Sequence, residues 1–409
     1  MLYLIGVPID GSHGQYTCPA NRAIWGHQVR RLGGAEREQS SVEFDSVLIE
    51  AARGRPTPLL VIDRRIIRET YVRVTESLPG VELFYAVKAN PHPEVARTLH
   101  GLGCGFEVSS TPELDMLLGL GVPPERIVSS NPVKAVEFIR RASAVGVARF
   151  VFDSSEELRK LRELAPESEL CLRLVVDNSG SEWPLSRKYG VEVSAAPALL
   201  AEARDLGLRV VGLTFHVGSQ CLEPRAWIGA LDACREVFES ARQLGIHLDF
   251  VNLGGGLPVR HLKPTPCVAE IGRQVIAHVR ESFAGPIRLA IEPGRALIGE
   301  AAALVGSVIG KATRGDERWL YLDVGVFNCL METIGGFRYE LRTEVDGPPQ
   351  RFTLAGPSCD SVDVLFADAL LPDLKLGDRL YVLNAGAYTL SYASSFNGFP
   401  PPDVRFVDE

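Results

Sequence analysis

Lys88 stands in the run YAVKAN, where the flanking strand residues are apolar and an ammonium is costly to bury without a partner. A lysine held in such surroundings loses basicity and suits imine chemistry with a carbonyl compound, whereas one pointing to solvent from a strand end does neither. Gly254, Gly255 and Gly256 follow VNL, and backbone N–H groups with no Cβ in the way approach an anion closely. A tight turn uses glycine equally well. EPGR, from Glu292 to Arg295, is a second anion-binding stretch, and the two together suit a phosphate group. His216, in FHVGSQ, has the chemistry of an acid, a base or a flat partner for an aromatic ring, and equally that of a structural strand histidine. Cys359 and Asp360, in GPSCDSVD, pair a thiol with a carboxylate in what by itself reads as a turn.

These groups act together only if the elements bring them to one place. From about residue 58 to 295, short β-rich runs alternate with longer amphipathic stretches. The runs are LFYAVK, GFEVSS, RIVSS, RFVFD, LCLRLVV, VVGLTFHVGS, LDFVNLGGG and IRLAIEPG. Between them lie candidate helices such as TPELDMLLGLG and AWIGALDACREVFESARQLG, several ending in the glycine that a helix C-terminus prefers. Eight βα units in series predict a (β/α)8 barrel of TIM type over 58–295. An open doubly wound sheet is the rival, but its phosphate-binding glycines belong after the first strand, and here the cluster follows the seventh. In a barrel the functional groups gather where strands end, and Lys88, Glu107, Asn131, Arg173, His216, Gly254 to Gly256, Glu292 and Arg295 all fall there. Residues 296–409 change to short strands separated by Pro and Gly, which predicts a β-rich second domain; residues 1–57 either join it or form an arm.

Composition narrows the function classes. The 409 residues are 46% hydrophobic and 23% charged, as in a globular enzyme of two domains. A net charge of -8 leaves no basic excess for nucleic acid, and gives at most mild steering of a cationic substrate. No stretch approaches the roughly 18 uninterrupted apolar residues of a membrane span. The eight cysteines are scattered without metal spacing, so no metal site is expected, and reduced thiols in the cytoplasm are the simpler reading.

YAVKAN, HVGSQ, NLGGG, EPGR, GPSCDSVD and NAGAYTLSYASSFNGFP, in this order over nearly the whole chain from residue 58, resemble the alanine-racemase-like (fold type III) decarboxylases that use pyridoxal 5′-phosphate. That family includes the ornithine, lysine, arginine and diaminopimelate decarboxylases. The resemblance implies that Lys88 holds the cofactor covalently, that His216 stacks on its ring, and that Glu292 keeps its ring nitrogen protonated. Ser219, Gly254, Gly255, Gly256, Gly294, Arg295 and Tyr388 would hold the phosphate, with Glu107, Arg173 and Glu113 as supports of the cofactor site. It further implies a head-to-tail homodimer in which Cys359 and Asp360 come from the neighbouring subunit. Cys359 would return a proton to the substrate, Asp360 and Asp323 would bind its distal ammonium, Phe396 would line the pocket, and Lys188 would pair with Asp363 across the interface.

The substrate class rests on fewer positions. Diaminopimelate decarboxylases typically carry Glu after the cysteine, while Asp360 and the WPLSRKYG segment look like bacterial ornithine or lysine decarboxylases. The implied reaction is L-ornithine or L-lysine to the diamine and carbon dioxide. Two departures, Glu107 in place of the usual Asp and the altered loop around Asp323, leave open arginine, diaminopimelate or a carboxylated polyamine. A catalytically dead binding homologue and a racemase on the same scaffold are the rivals from other classes; the first loses cofactor contacts that this chain keeps, and the second needs a tyrosine-bearing motif not evident here.

Overall fold

A computed structural model of the protein describes residues 47–408, apart from 148, 186 and 187. The first strand, β1 (Leu59–Asp63), is followed by eight parallel strands that form one sheet: β2 (Val81–Ala86), β3 (Gly105–Glu107), β4 (Ile127–Val128), β5 (Arg149–Phe152), β6 (Glu169–Arg173), β8 (Arg209–Thr214), β10 (Phe250–Asn252) and β11 (Arg288–Ile291). The order runs in sequence from β4 through β3 and β2 to β11, and back to β5, and a parallel bridge between Ser129 and Phe150 joins β4 to β5. The eight runs read from the sequence are therefore the eight staves of a nearly closed barrel. A short antiparallel pair, β7 (Ser181–Trp183) and β9 (Ser219–Cys221), stands off the barrel mouth, with Trp183 opposite Ser219.

Helices between the strands form where the sequence supplies caps. α1 (Arg64–Ser77) starts at Asp63, whose carboxylate accepts from the Arg65 N–H. α2 (Pro93–Gly101) and α3 (Thr111–Gly119) carry proline in the first turn, and α4 (Val136–Val145) ends at Gly146 in the left-handed conformation. α5 (Ser155–Leu164) is capped by Ser154, which accepts from the Glu157 N–H, and α6 (Ala196–Asp205), α7 (Arg225–Gln243) and α8 (Val268–Ser282) complete the outer ring.

Phe84, Val128, Val151, Cys171, Val211, Phe250 and Ala290, from seven of the strands, make a buried cluster separate from the helix-facing core and fill the lumen. Gly212 belongs to this packing, since a Cβ there would lie 2.1 Å from the Phe250 carbonyl oxygen. At the strand beginnings Arg149 and Arg288 lie over the Phe250 ring and pair with Glu169 and Asp249, which closes that end with structural charges.

After the four-residue α9 (Arg295–Ile298) the chain enters the second sheet through β12 (Ala302–Arg314), followed by β13 (Glu317–Leu322), β14 (Leu341–Arg342), β15 (Gln350–Ala355), β16 (Val364–Leu371), β17 (Arg379–Val382) and β18 (Asp403–Val407). The order is β14-β17-β12-β13-β15-β16, and β1 joins it by pairing antiparallel with β12 and parallel with β18. Strand β1 thus lies in the β sheet, although the sequence reading placed it at the start of the barrel segment. The sheet reaches the barrel mouth: the Tyr388 N–H donates to the Ala89 carbonyl at 2.7 Å, and the Asn90 amide donates to the Gly386 carbonyl at 2.9 Å. Most of the segment before residue 58 lies outside the described residues.

Among the described residues Cys104, Cys171, Cys221, Cys234, Cys329 and Cys359 are free thiols, and no helix is long and apolar enough to cross a membrane.

Candidate active site

Lys88 follows β2 in a short 3-10 turn, with Val87 and Ala89 buried on either side. Its amine lies 3.8 Å from Oε2 of Glu107, the last residue of β3. Glu107 is almost wholly buried, and that oxygen has no hydrogen-bond partner, while Oε1 accepts from the Ser109 hydroxyl at 3.2 Å. The expectation of a buried lysine of reduced basicity needs correction: half of the side chain is exposed, and Glu107 holds the ammonium above its ordinary pKa, outweighing burial. Glu113, one turn into the next helix, accepts from the Ser109 N–H at 2.7 Å and so fixes the loop that carries Glu107.

Glu292 follows β11. Its Oε1 accepts from the Ser130 hydroxyl and from the Asn252 amide at 2.6 Å, so the residues after β4 and at the end of β10 hold one oxygen. Burial, and then the charge of Glu107, raise this carboxyl above the usual range. The loop bearing Ser130 is itself anchored: the buried Lys134 ammonium donates to the carbonyls of Asn131, Pro132 and Val151 and pairs with Glu157 at 2.8 Å.

His216 follows β8. The Gly218 N–H donates to its Nδ1 at 3.0 Å, which leaves the ring proton on Nε2. Burial first, then the nearby Arg173 and Lys88, push its pKa well down, so the ring is neutral. Arg173, at the end of β6, lies 5.7 Å from the Tyr189 ring centre.

The triple glycine runs under these groups. A Cβ on Gly255 would meet the Glu292 carbonyl at 2.9 Å and His216 Nε2 at 3.0 Å, and one on Gly256, at φ +99°, would meet the Gly218 carbonyl at 2.5 Å. Gly294 sits so close to the turn after β2 that its Cβ would lie 2.8 Å from that of Ala89. Arg295 is buried; its guanidinium donates to Glu332 from Nη1 at 3.1 Å and from Nη2 at 2.5 Å, and to the Ser219 hydroxyl at 3.3 Å. Tyr388, itself at positive φ, places its ring 4.8 Å from that guanidinium. The result is a pocket lined by Lys88, His216, Ser219, Gly255, Gly256, Glu292, Gly294, Arg295 and Tyr388, with Ala86 and Leu257.

Other expected residues lie elsewhere. Asp323, just past β13, accepts from the Ser307 N–H at 2.7 Å and from the Thr57 hydroxyl, and does not line the pocket. Cys359 is exposed and binds the Asn397 side-chain oxygen through both its N–H and its thiol, at 3.0 and 3.1 Å. Asp360 is exposed beside it, and Phe396 packs on Phe327 at 4.6 Å between ring centres. Within its own chain Asp363 is 2% exposed, and its oxygens accept from the Val326 and Ser358 N–H groups. Lys188 rests over the Tyr189 ring, while Ser186 and Arg187 of the same segment lie outside the described residues.

Sequence reasoning did not single out Ser130, Asn252 or Glu332. The first two lie inside runs already read as strand ends, a position that could have flagged them; nothing local flags Glu332.

Residues 64–299 match the family described as pyridoxal-dependent decarboxylase, pyridoxal binding domain. A lysine/ornithine decarboxylase of Selenomonas ruminantium is 37% identical over 360 residues, which is 88% of this chain and 92% of that one. The solved structure of SrLDC in complex with PLP and cadaverine has a TM-score of 0.81 at 34% identity, over 92% of this chain and 95% of that one. A lysine/ornithine decarboxylase from Vibrio vulnificus, complexed with putrescine, also has a TM-score of 0.81, at 31% identity over 91% and 99% of the two chains. Likeness of this extent in sequence and in fold, on a barrel mouth built as described, places the chain in the pyridoxal-dependent decarboxylase family.

Proposed function

We propose that the chain removes the α-carboxylate of L-ornithine or L-lysine, releasing carbon dioxide and a diamine, with Lys88 as the residue that holds pyridoxal 5′-phosphate. The observation that carries this reading is the convergence of Lys88, His216, Glu292 and Arg295 with the glycine turn on one pocket. The residues suit the cofactor: the glycine cradle leaves no room for side chains, Arg295 keeps a buried Nε without a hydrogen-bond partner, and Glu107 keeps an oxygen with no hydrogen bond 3.8 Å from the lysine amine. When bound, the cofactor supplies a protonated pyridine ring that takes up the electron pair left as carbon dioxide departs.

The chain's own groups would divide the remaining work. Glu107 offers a carboxylate to hold the Lys88 ammonium when that amine is free. Neutral His216 offers an uncharged ring face beside the pocket, and Glu292, oriented by Ser130 and Asn252, holds a proton on the ring nitrogen. Ser219, the glycine turn, Gly294, Arg295 and Tyr388 hold the phosphate, and Arg173 buttresses the wall. Cys359 returns a proton to the α-carbon and Asp360 takes the distal ammonium, both delivered by a second copy of the chain in a head-to-tail dimer. Their exposure outside the pocket of their own chain supports this. Phe396, on the same exposed surface, would line the completed pocket. With Asp323 engaged by Ser307 and Thr57, the distal ammonium depends chiefly on Asp360. The free thiols of Cys104, Cys171, Cys221, Cys234, Cys329 and Cys359 support a reducing compartment, the cytoplasm. We take 58–295 and 296–409 as the working domain bounds, with β1 exchanged into the second.

The test has two arms. Carbon dioxide release is measured with ornithine, lysine, arginine, diaminopimelate and carboxylated polyamines, and the protein is reduced with borohydride and mapped by mass spectrometry. The expected result is a pyridoxyl adduct on Lys88 and diamine from ornithine or lysine. An adduct with release from neither substrate sinks the substrate assignment; no adduct favours a dead binding homologue.

A further inference from the structure

We propose that Glu332, from the second domain, is a positioning residue for cofactor binding: it grips one edge of the Arg295 guanidinium and so reserves the other edge, beside Ser219, for the phosphate. The inference rests on the function proposed above. A guanidinium carries five N–H donors in a rigid planar fork. Glu332 takes the end of that fork, accepting from Nη1 and Nη2 at 3.1 and 2.5 Å. Nη2 also reaches the Ser219 hydroxyl at 3.3 Å, and Nε is buried without a hydrogen-bond partner. Nε–H and the adjoining Nη2 proton form the side edge of the fork, and a two-donor edge next to a hydroxyl is matched to an oxyanion.

The grip is rigid at both ends. The side chains of Arg295 and Glu332 are 3% and 5% exposed, and the Tyr339 hydroxyl donates to Glu332 Oε2 at 3.2 Å. The rings of Phe337 and Tyr388 lie 4.7 and 4.8 Å from the guanidinium carbon. Glu332 belongs to the short 3-10 segment Met331–Gly335, whose last residue lies against the Trp183 ring, and Trp183 pairs across β7 and β9 with Ser219. The two neighbours of the reserved edge are therefore tied to each other as well as to Arg295. Removing the carboxylate would leave the buried guanidinium without its ion-pair partner and two of its donors without their acceptor.

A merely structural ion pair would affect stability without regard to the phosphate, so the test compares two ligands. Full-length Glu332→Gln, freed of cofactor, is titrated with pyridoxal phosphate and separately with pyridoxal, which has no phosphate, and binding is followed by the absorbance of the lysine adduct. The Kd for pyridoxal phosphate should rise about tenfold or more, while that for pyridoxal stays within about twofold. Tyr339→Phe, which removes one hydroxyl donor to Glu332 while keeping both Glu332 and Arg295, should shift the same ratio in the same direction by less, and it decides the matter if Glu332→Gln does not fold. Equal losses for both ligands, or tighter binding of the phosphate form, overturn the assignment. A wild-type chain that takes up neither ligand instead overturns the function on which the inference rests.

Discussion

At the scale of single residues, Glu292 shows how one environment sets both orientation and charge. Two donors converge on one of its oxygens, yet burial and the nearby Glu107 raise its pKa above the ordinary 4.5. A carboxyl whose folded pKa exceeds its unfolded value binds more proton in the folded state, so stability is lost as pH rises from the unfolded pKa through the folded one. Lys88, raised from 10.5, titrates far above that window and does not mask it. Glu292→Gln keeps an oxygen for Ser130 and Asn252 and removes the ionisation. The cofactor-free variant should therefore exceed wild type in stability by on the order of 1 kcal/mol above the window, with the advantage fading toward the unfolded pKa. Urea unfolding at mildly acid and mildly alkaline pH checks this, and an equal difference at both values would contradict it. The same residue shows what the sequence can disclose. EPGR was legible because a charged pair beside a glycine at a strand end is unusual, whereas Ser130 and Asn252 are small polar residues of a kind that strand ends carry everywhere. The raised basicity of Lys88 depends on a 3.8 Å approach by a side chain nineteen positions away, which no local pattern records.

At the scale of elements, glycines in helices give opposite expectations according to the space around them. Gly272 lies in α8, where a Cβ would stand 1.9 Å from the Ser77 carbonyl oxygen at the end of α1. Alanine there would improve helix propensity by about 1 kcal/mol in open space, but forcing α1 away costs about 1–3 kcal/mol. Gly272→Ala should lower the Tm. Gly229, exposed in α7 with nothing within 4 Å, is the control: Gly229→Ala should raise the Tm, and equal signs for the two would refute the steric argument. Elements of this kind were legible because each barrel strand is a local run of apolar residues between turn signals. The second sheet was legible only as β-rich, since β12 takes β1 on one side and β17 on the other, and β1 takes β18 from the far end of the chain. Pairings between strands so distant in sequence leave no periodicity to read, which is why β1 was counted with the barrel.

At the scale of the whole molecule, the proposal divides the site between two chains. The pocket with Lys88 is built from barrel loops and Tyr388, while Cys359 and Asp360 stand exposed on the second domain and are not among the residues around that pocket. One chain then supplies the cofactor cradle, and its neighbour supplies the thiol and the carboxylate that meets the distal ammonium. Lys88→Ala removes the tether from one half-site and Cys359→Ala removes the proton donor from the other, so each variant alone should lose nearly all activity. In a two-fold dimer formed from an equal mixture, half of the molecules pair unlike chains, and each of those holds one intact site and one doubly damaged site. Dissociating and remixing the two variants should restore about a quarter of wild-type activity. Were both groups to act within the chain that carries them, every site in the mixture would keep one defect and no activity would return. Cross-linking the mixture before the assay separates the cases further, because recovered activity should reside in dimers and be absent from monomers.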